Sequence, residues 1–219
     1  MASILIFLIL TVFFVVKLYQ ALGSEKHDTS KNNVRPMNPD DLGSGMVIQG
    51  EKKVIDPKEQ DKLGEEKYGF VLWGKIKDIQ KIDKSFSAEE FLEGAVYAFE
   101  LIVKSFSKDD KVTLKRLIAE DLYKNLADEI DKRQLAGQKQ ETTIISMIGY
   151  EIIDIFLEGK KQASIKVRFE TDQVLFIKDN EGNIIQGNSA DIDRVVDVWT
   201  FRRNLSSSDP NWLLVETTK

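Results

Sequence analysis

Residues 162–170, QASIKVRFE, determine the predicted fold. Ala163, Ile165, Val167 and Phe169 alternate with polar or charged side chains along this stretch. Successive side chains of a β-strand point to opposite faces, so the alternation predicts a strand with one buried and one solvated face. Antiparallel sheets commonly have this arrangement, because one face covers a core while the other meets water.

Further strands are predicted around this segment, and turn residues separate them. Predicted strands cover 142–157, 161–178, 193–204 and 211–218. The turns are Glu158-Gly159, the DNEGN sequence at 179–183 and Asp209-Pro210-Asn211, all rich in residues that favour tight turns.

Helical spacing replaces the alternation before residue 140. Ser87 and Glu90 form the sequence signature of a capping box, which predicts a helix start. Apolar residues then recur every three or four positions, at Phe91, Ala95, Ala98, Phe99, Ile102 and Phe106. Helices are predicted over 87–107, 110–118 and 120–136, the last ending at Gly137.

Helices followed by long antiparallel strands predict an α+β fold. Strands this long twist, so we expect a curved sheet with the helices on its concave face. Such a cone can hold an apolar pocket lined by Phe169, Trp199 and Phe201. The alternative is that these aromatic side chains are ordinary core residues.

The first residues, ASILIFLILTVFFVV at 2–16, contain no charged residue, proline or glycine. As a helix, residues 2–22 would span about 32 Å, which matches a hydrocarbon core of about 30 Å. We predict a single transmembrane anchor over 2–22. Its apolar residues are Ile4, Leu5, Ile6, Phe7, Leu8, Ile9, Leu10, Val12, Phe13, Phe14, Val15 and Val16.

A cleaved secretory signal is the alternative for this segment, but nothing basic except the terminal amine precedes the apolar run. Lys17, Lys26, Lys31 and Arg35 all follow it. The positive-inside rule therefore predicts a single-pass protein whose C-terminal part faces the cytoplasm.

A polar segment over 23–65 is predicted to be a flexible linker, because it has no periodicity and contains three of the four prolines. The folded domain is predicted over 66–219. Its first part, 66–84, places six apolar residues on one face of a helix: Tyr68, Val71, Leu72, Ile76, Ile79 and Ile82.

Phe70 and Trp73 fall off that face, beside the lysines Lys75, Lys77 and Lys81. Aromatic residues next to lysines suit the interface of an anionic bilayer, so these five residues are candidate membrane or partner contacts. The alternative is a helix that packs its isoleucines on the domain and leaves its lysines in water.

Composition excludes several kinds of site. The chain has no cysteine, and its one histidine, His27, lies in the predicted linker. Asp154, Glu170, Asp172 and Asp197 lie on predicted strands, where ion pairing is the common role of a carboxylate. We therefore predict no catalytic residues, no metal site and no cofactor. The net charge of −5 argues against DNA binding.

Four segments resemble the Tim forty-four-like domain family. They are the helix at 91–106, the helix end at Arg133 and Gly137, DVWTF at 197–201, and SDPNWLL at 208–214. The resemblance covers about residues 65 to 218. It implies a cone of the cystatin-like, nuclear-transport-factor-two-like kind and work at a membrane.

The mitochondrial member of that family tethers a chaperone to the inner-membrane translocase, and a related domain occurs in a mitoribosomal protein. A short chain with its own anchor resembles the alphaproteobacterial members, which implies a bacterial inner membrane.

The expected function is a membrane-tethered adaptor or chaperone-like module for protein translocation or biogenesis. Expected partners are anionic lipids and translocation proteins, with no small-molecule substrate. A ribosome-contacting module and an isomerase or dehydratase of the cone fold are the alternatives.

Overall fold

The computed structural model of the chain describes residues 56–159 and 161–218. The predicted anchor over 2–22 and most of the predicted linker lie outside these residues. Within the described part, no helix combines the length and the apolarity needed to cross a membrane.

Five helices precede five strands in the described chain. The helices are α1 (Pro57–Tyr68), α2 (Phe70–Ile82), α3 (Ala88–Ser107), α4 (Lys111–Leu117) and α5 (Glu120–Leu135). The predicted α+β order is therefore confirmed. The linker prediction is wrong for residues 57–65, because Asp56 caps a helix that already starts there and accepts a hydrogen bond from the Lys58 amide at 2.8 Å.

Helix α3 begins and α5 ends where the sequence predicts. The Ser87 hydroxyl accepts a hydrogen bond from the Glu90 amide at 3.3 Å and caps α3. Gly137 follows α5 with a φ of 66°, a left-handed conformation that glycine adopts without strain. A Cβ at Gly137 would lie 2.0 Å from the Asn180 side chain, so this chain reversal also needs the absence of a side chain.

The strands form one antiparallel sheet. They are β1 (Lys139–Glu158), β2 (Gln162–Lys178), β3 (Ile184–Gly187), β4 (Asp193–Asn204) and β5 (Leu213–Thr218). The order is β1-β2-β4-β5, and β3 pairs with the end of β2 beyond the residues that pair with β4. The sequence analysis missed β3, because four residues are too few to show a period.

Strand β1 is an edge strand with three register shifts against β2, at Ile144/Ser146, Met147/Gly149 and Ile152/Asp154. Such bulges bend a strand and increase its twist. The helices pack on the other face of the sheet from the charged side chains of β2, where Ile165, Val167 and Phe169 are fully buried.

Candidate membrane and partner contact surface

The stretch predicted as one helix over 66–84 is two helices. Gly69 has a φ of 78°, which an L-residue with a side chain rarely adopts, and it separates α1 from α2. Gly69 closes α1 by donating to the Glu65 carbonyl at 2.8 Å, and its own carbonyl accepts from the Trp73 amide at 2.9 Å. The two helices therefore meet at a corner, and Tyr68 belongs to α1.

Trp73 packs α2 against α1. Its side chain is 8% exposed, so its predicted position off the buried face is wrong. A Cβ at Gly64 would lie 2.2 to 2.5 Å from the indole ring, so only glycine allows this close approach. The indole stacks on Tyr68 and donates a hydrogen bond to Asp61 at 3.1 Å. Trp73 therefore holds the corner together instead of facing a membrane.

Phe70 and Val71 project from the corner into solvent. Their exposed fractions are 78% and 71%. Phe70 lies off the buried face, as predicted, but the prediction that Val71 lies on that face is wrong. The buried residues of α2 are Trp73, Ile76 and Ile79, and Val71 points away from them. Two adjacent apolar side chains thus form an exposed tip, which we call the corner tip.

The three candidate lysines each contact a carboxylate. Lys75 binds Asp154 at 2.5 Å, and its ammonium also lies 5.2 Å from the centre of the Phe156 ring. Lys77 binds Asp61 at 3.1 Å. Lys81 binds Asp78 at 2.7 Å, with both side chains more than half exposed. The positive charge seen in the sequence is therefore partly neutralised within the fold.

Glu89 fastens the end of α1 to the start of α3. Its carboxylate accepts hydrogen bonds from Lys67 and Tyr68, both at 2.9 Å. Burial alone would raise the pKa of Glu89, but these hydrogen bonds outweigh it and lower the pKa from 4.5 to about 2. Polar contacts thus add to the buried Trp73, Ile76 and Ile79 in holding the corner to the domain.

The predicted apolar pocket is occupied by core side chains. Phe99 of α3 lies against Phe169 and Trp199, with 4.5 Å between ring centres in both pairs. Phe169, Trp199 and Phe201 are 0%, 6% and 1% exposed. These three aromatic side chains are therefore ordinary core residues and do not line an open pocket. A cavity of about 360 Å³ lies elsewhere, at the end of β4, and its lining includes Arg202 and Arg203.

The strand carboxylates take part in ion pairs. Burial would raise the pKa of Asp154, but Lys75, the Ile155 amide and Lys166 together lower it below its ordinary value. The pKa of Asp172 is lowered chiefly by the hydrogen bonds from Arg194. Each carboxyl group of the described residues with a clearly shifted pKa has it lowered. A general acid or base in an apolar pocket needs the opposite shift.

One sequence signal could have located the buried face of α2. Trp73, Ile76 and Ile79 recur at a spacing of three, so a buried face centred on them would exclude Val71. The position of Gly64 within the predicted linker gave no comparable signal. Its role depends on Trp73, nine residues further along, and becomes visible only when both helices are placed.

Comparisons with known proteins found a relative and a solved structure that are similar to this chain. A protein of Rickettsia prowazekii (strain Madrid E) described as uncharacterized protein RP434 is 27% identical over 227 residues, which cover 97% of this chain and 94% of the relative. The crystal structure of the intermembrane space region of the chloroplast protein ARC6 is 13% identical. It has a TM-score of 0.41 and covers 58% of this chain and 94% of its own.

A family model described as Tim44-like domain matches residues 72–219, which is more than half of the chain. This match includes α2 from its third residue onward, the aromatic core and every strand of the sheet. The chain therefore belongs to the Tim44-like domain family, a family of membrane-associated, translocation-related modules.

Proposed function

We propose that this chain is a membrane-tethered adaptor for protein translocation or membrane-protein biogenesis at a bacterial inner membrane. The apolar segment over 2–22 would anchor it, and the Tim44-like domain would work on the cytoplasmic side. The observation that carries the proposal is the corner tip. Phe70 and Val71 are among the most exposed apolar side chains of the described residues and lie at the N-terminal side of the matched domain.

Insertion of the corner tip into a bilayer or a partner would bury apolar area now in water. Full burial of such a side chain contributes about 1.5–3 kcal/mol, so two side chains give a weak contact by themselves. A weak contact suffices when an anchor in the same chain keeps the domain near the bilayer, because binding is then intramolecular. Lys81, which is 74% exposed, can exchange Asp78 for an anionic lipid at little cost.

Vesicle flotation tests the membrane contact. We expect a chain lacking residues 2–22 to bind vesicles of anionic lipids weakly, and the double variant Phe70→Ser, Val71→Ser to lose most of that binding. Val112→Ser is the matched control, because Val112 is 68% exposed on a different helix. Binding that is equal in the double variant and the control would contradict a role for the corner tip.

Removal of residues 2–22 tests the anchor in cells. We expect the truncated chain to move from carbonate-washed membranes to the soluble fraction, while the full chain stays with the membranes. Crosslinking from position 70 in native membranes would then identify the bound partner. Capture of a translocation component is expected for an adaptor, and retention of the truncated chain on washed membranes would contradict the anchor.

A ribosome-contacting module is a second candidate, and one observation favours it. Lys104 and Lys108 at the end of α3 and Lys115 and Arg116 on α4 are exposed, and none has an acidic side chain within ion-pair distance among the described residues. Basic residues of this kind bind phosphates in a salt-dependent manner. Ribosome co-sedimentation that weakens with salt, and is lost in Lys115→Glu, Arg116→Glu, would favour this alternative.

We propose no catalytic role and no small-molecule substrate. The aromatic residues predicted to line a pocket lie in the packed core, and the clearly shifted carboxyl groups of the described residues have lowered pKa values, which suit ion pairing. Neither observation supports an isomerase or dehydratase. A chaperone as the bound partner stays a prediction from the family resemblance.

A further inference from the structure

Strand β1 carries an isoleucine at each of its three bulges. Ile145, Ile148 and Ile153 are the residues that have no partner on β2 in the register of the two strands. Their exposed fractions are 51%, 45% and 42%. In each bulge the isoleucine and the residue after it together oppose one outer-facing residue of β2. The bulge therefore places an additional apolar side chain on the outer face of the sheet.

This outer face is the one opposite to the helices. Phe156, which is 44% exposed, extends the row of isoleucines along β1 to the point where Lys75 of α2 reaches its ring. Next to the row, β2 presents Lys166, Arg168, Glu170 and Asp172 at alternate positions, all on the same outer face. The face thus combines an apolar row with a line of charged side chains in the order plus, plus, minus, minus.

The charged side chains on this face form ion pairs with other side chains of the same chain. Arg168 pairs with Glu170 at 2.9 Å, Arg194 pairs with Asp172 at 3.0 Å, and Lys166 lies 4.0 Å from Glu216. A strongly charged partner would have to compete with these pairs. A second copy of the same face would not, because it brings both signs.

We propose that the outer face of the sheet is the contact surface of a symmetric dimer of this chain. A two-fold axis that crosses the strands between Arg168 and Glu170 reverses the direction of every strand. It sets Lys166 of one copy opposite Asp172 of the second, and Arg168 opposite Glu170. The order plus, plus, minus, minus is therefore complementary to itself under the symmetry that most dimers use.

The apolar row extends to both sides of the same axis. The axis passes β1 near Tyr150, which pairs with Phe169. On one side of it, Ile148 lies beside residues 170–171 of β2 and Ile145 beside residues 172–173. On the other side, Ile153 lies beside residues 166–167, and Phe156 pairs with Ser164. On β4, Val196 and Val198 are paired with Glu170 and Arg168, so they also exchange places. Apolar side chains of β1 thus lie on both sides of the axis, and the two valines of β4 meet across it.

The bulges favour contact between faces over strand addition at the edge. Each bulge interrupts the regular hydrogen-bonding pattern that another strand would need. Ser107 also occupies one end of that edge, where its hydroxyl bonds the Gln140 carbonyl and the Thr142 amide at 3.0 and 2.9 Å. A partner would therefore contact β1 through its side chains and not through backbone hydrogen bonds at the edge.

The available area suits a dimer. Three strands of about twelve residues and a fourth, β5, of 6 residues, spaced about 4.8 Å apart with about 3.3 Å per residue, give a flat area of roughly 700 Å². Stable interfaces bury about 800 Å² on each partner, and uneven side chains raise the buried area above the flat one. Twisted sheets pack face to face with their strands nearly aligned, which is the arrangement that the axis produces.

Mass measurement of the full-length chain in detergent tests the proposal directly. We expect a reversible dimer, and we expect Ile148→Glu, Ile153→Glu to raise its dissociation constant by about 30-fold or more, as loss of central apolar contacts does. Val112→Glu is the control and should leave the dimer unchanged. A monomer up to about 100 μM, or a dimer unaffected by the double variant, overturns the proposal.

A pair of charge-reversal variants tests the proposed two-fold axis itself. One variant carries Lys166→Glu and Arg168→Glu, and the other carries Glu170→Lys and Asp172→Lys. Each alone should dimerise at least about tenfold more weakly than the original chain, because like charges then face each other. Their equimolar mixture should form a mixed dimer of nearly original strength.

Cooperative thermal unfolding of each charge variant verifies that it is folded. Two folded variants whose mixture shows no recovery overturn the proposed axis. If either variant fails to fold, the isoleucine variant decides the outcome by itself. The dimer does not depend on the proposed membrane function, because mass is measured without membranes or partners.

Discussion

The aromatic core and the α1–α2 corner are both rich in apolar residues, but different forces hold them. Phe99, Phe169 and Trp199 contact one another and are almost fully buried, so packing stabilises them. The corner is fastened by Glu89 and by the close approach of Trp73 to Gly64, while Phe70 and Val71 stay in water. A domain built this way can alter its contact surface without disturbing its core.

The largest expected effect separates the two regions by stability. Phe169→Ala should lower the free energy of unfolding by about 3–5 kcal/mol, because it removes a fully buried ring and leaves a cavity against Phe99. Denaturant unfolding measures it. Phe70→Ala is the matched control and should change the free energy of unfolding by less than about 0.5 kcal/mol. Similar losses in both variants would show that the corner is part of the core.

A smaller effect tests how the corner is closed. Gly64→Ala should lower the free energy of unfolding by about 1–3 kcal/mol, because its Cβ would overlap the Trp73 ring. Gly74→Ala on α2 is the control. No atom lies within 4 Å of its added Cβ, so alanine should raise stability by about 0.5–1 kcal/mol through its helix propensity. A stabilising Gly64→Ala would contradict the close contact.

The smallest effect concerns pH. The pKa of Glu89 is lowered to about 2 in the folded chain, below its ordinary value of 4.5. Its contribution to stability is therefore present above pH 4.5 and is lost as the pH falls toward 2. The ion pair between Glu89 and Lys67 is exposed to solvent, so we expect it to contribute at most about 1 kcal/mol to the free energy of unfolding.

Thermal unfolding of the original chain and of Glu89→Gln from pH 7 to 2 measures this contribution. The difference between their midpoints should shrink below pH 4.5, whereas Phe169→Ala should keep its difference from the original chain. A Glu89→Gln difference that is constant over this range would show that the carboxylate charge does not fasten the corner.

Local patterns predicted most of the elements. The alternation at 162–170, the cap at Ser87 and the stop at Gly137 all lie where the structure has them. Such signals can be predicted from sequence because strand alternation, helix capping and left-handed backbone depend on a few neighbouring residues. Strand ends were displaced by up to three residues, as at Lys139, where pairing with β2 extends β1.

The candidate site was predicted less well, because its features arise between elements. The apolar character of 66–84 was recognised, but the burial of Trp73 depends on Gly64 from another helix. The ion pairs of Lys75 and Lys77 were not predicted, because their partners, Asp154 and Asp61, lie outside the segment 66–84.

The sequence by itself determined the helix-then-strand order, the family resemblance and the apolar N-terminal segment. Only the tertiary structure decided which aromatic side chains are core and which are surface. It also placed three isoleucines at bulges on the outer face of β1. The physical reason is that residue type fixes how much apolar area a side chain carries, whereas contacts with distant residues fix how much of that area leaves water.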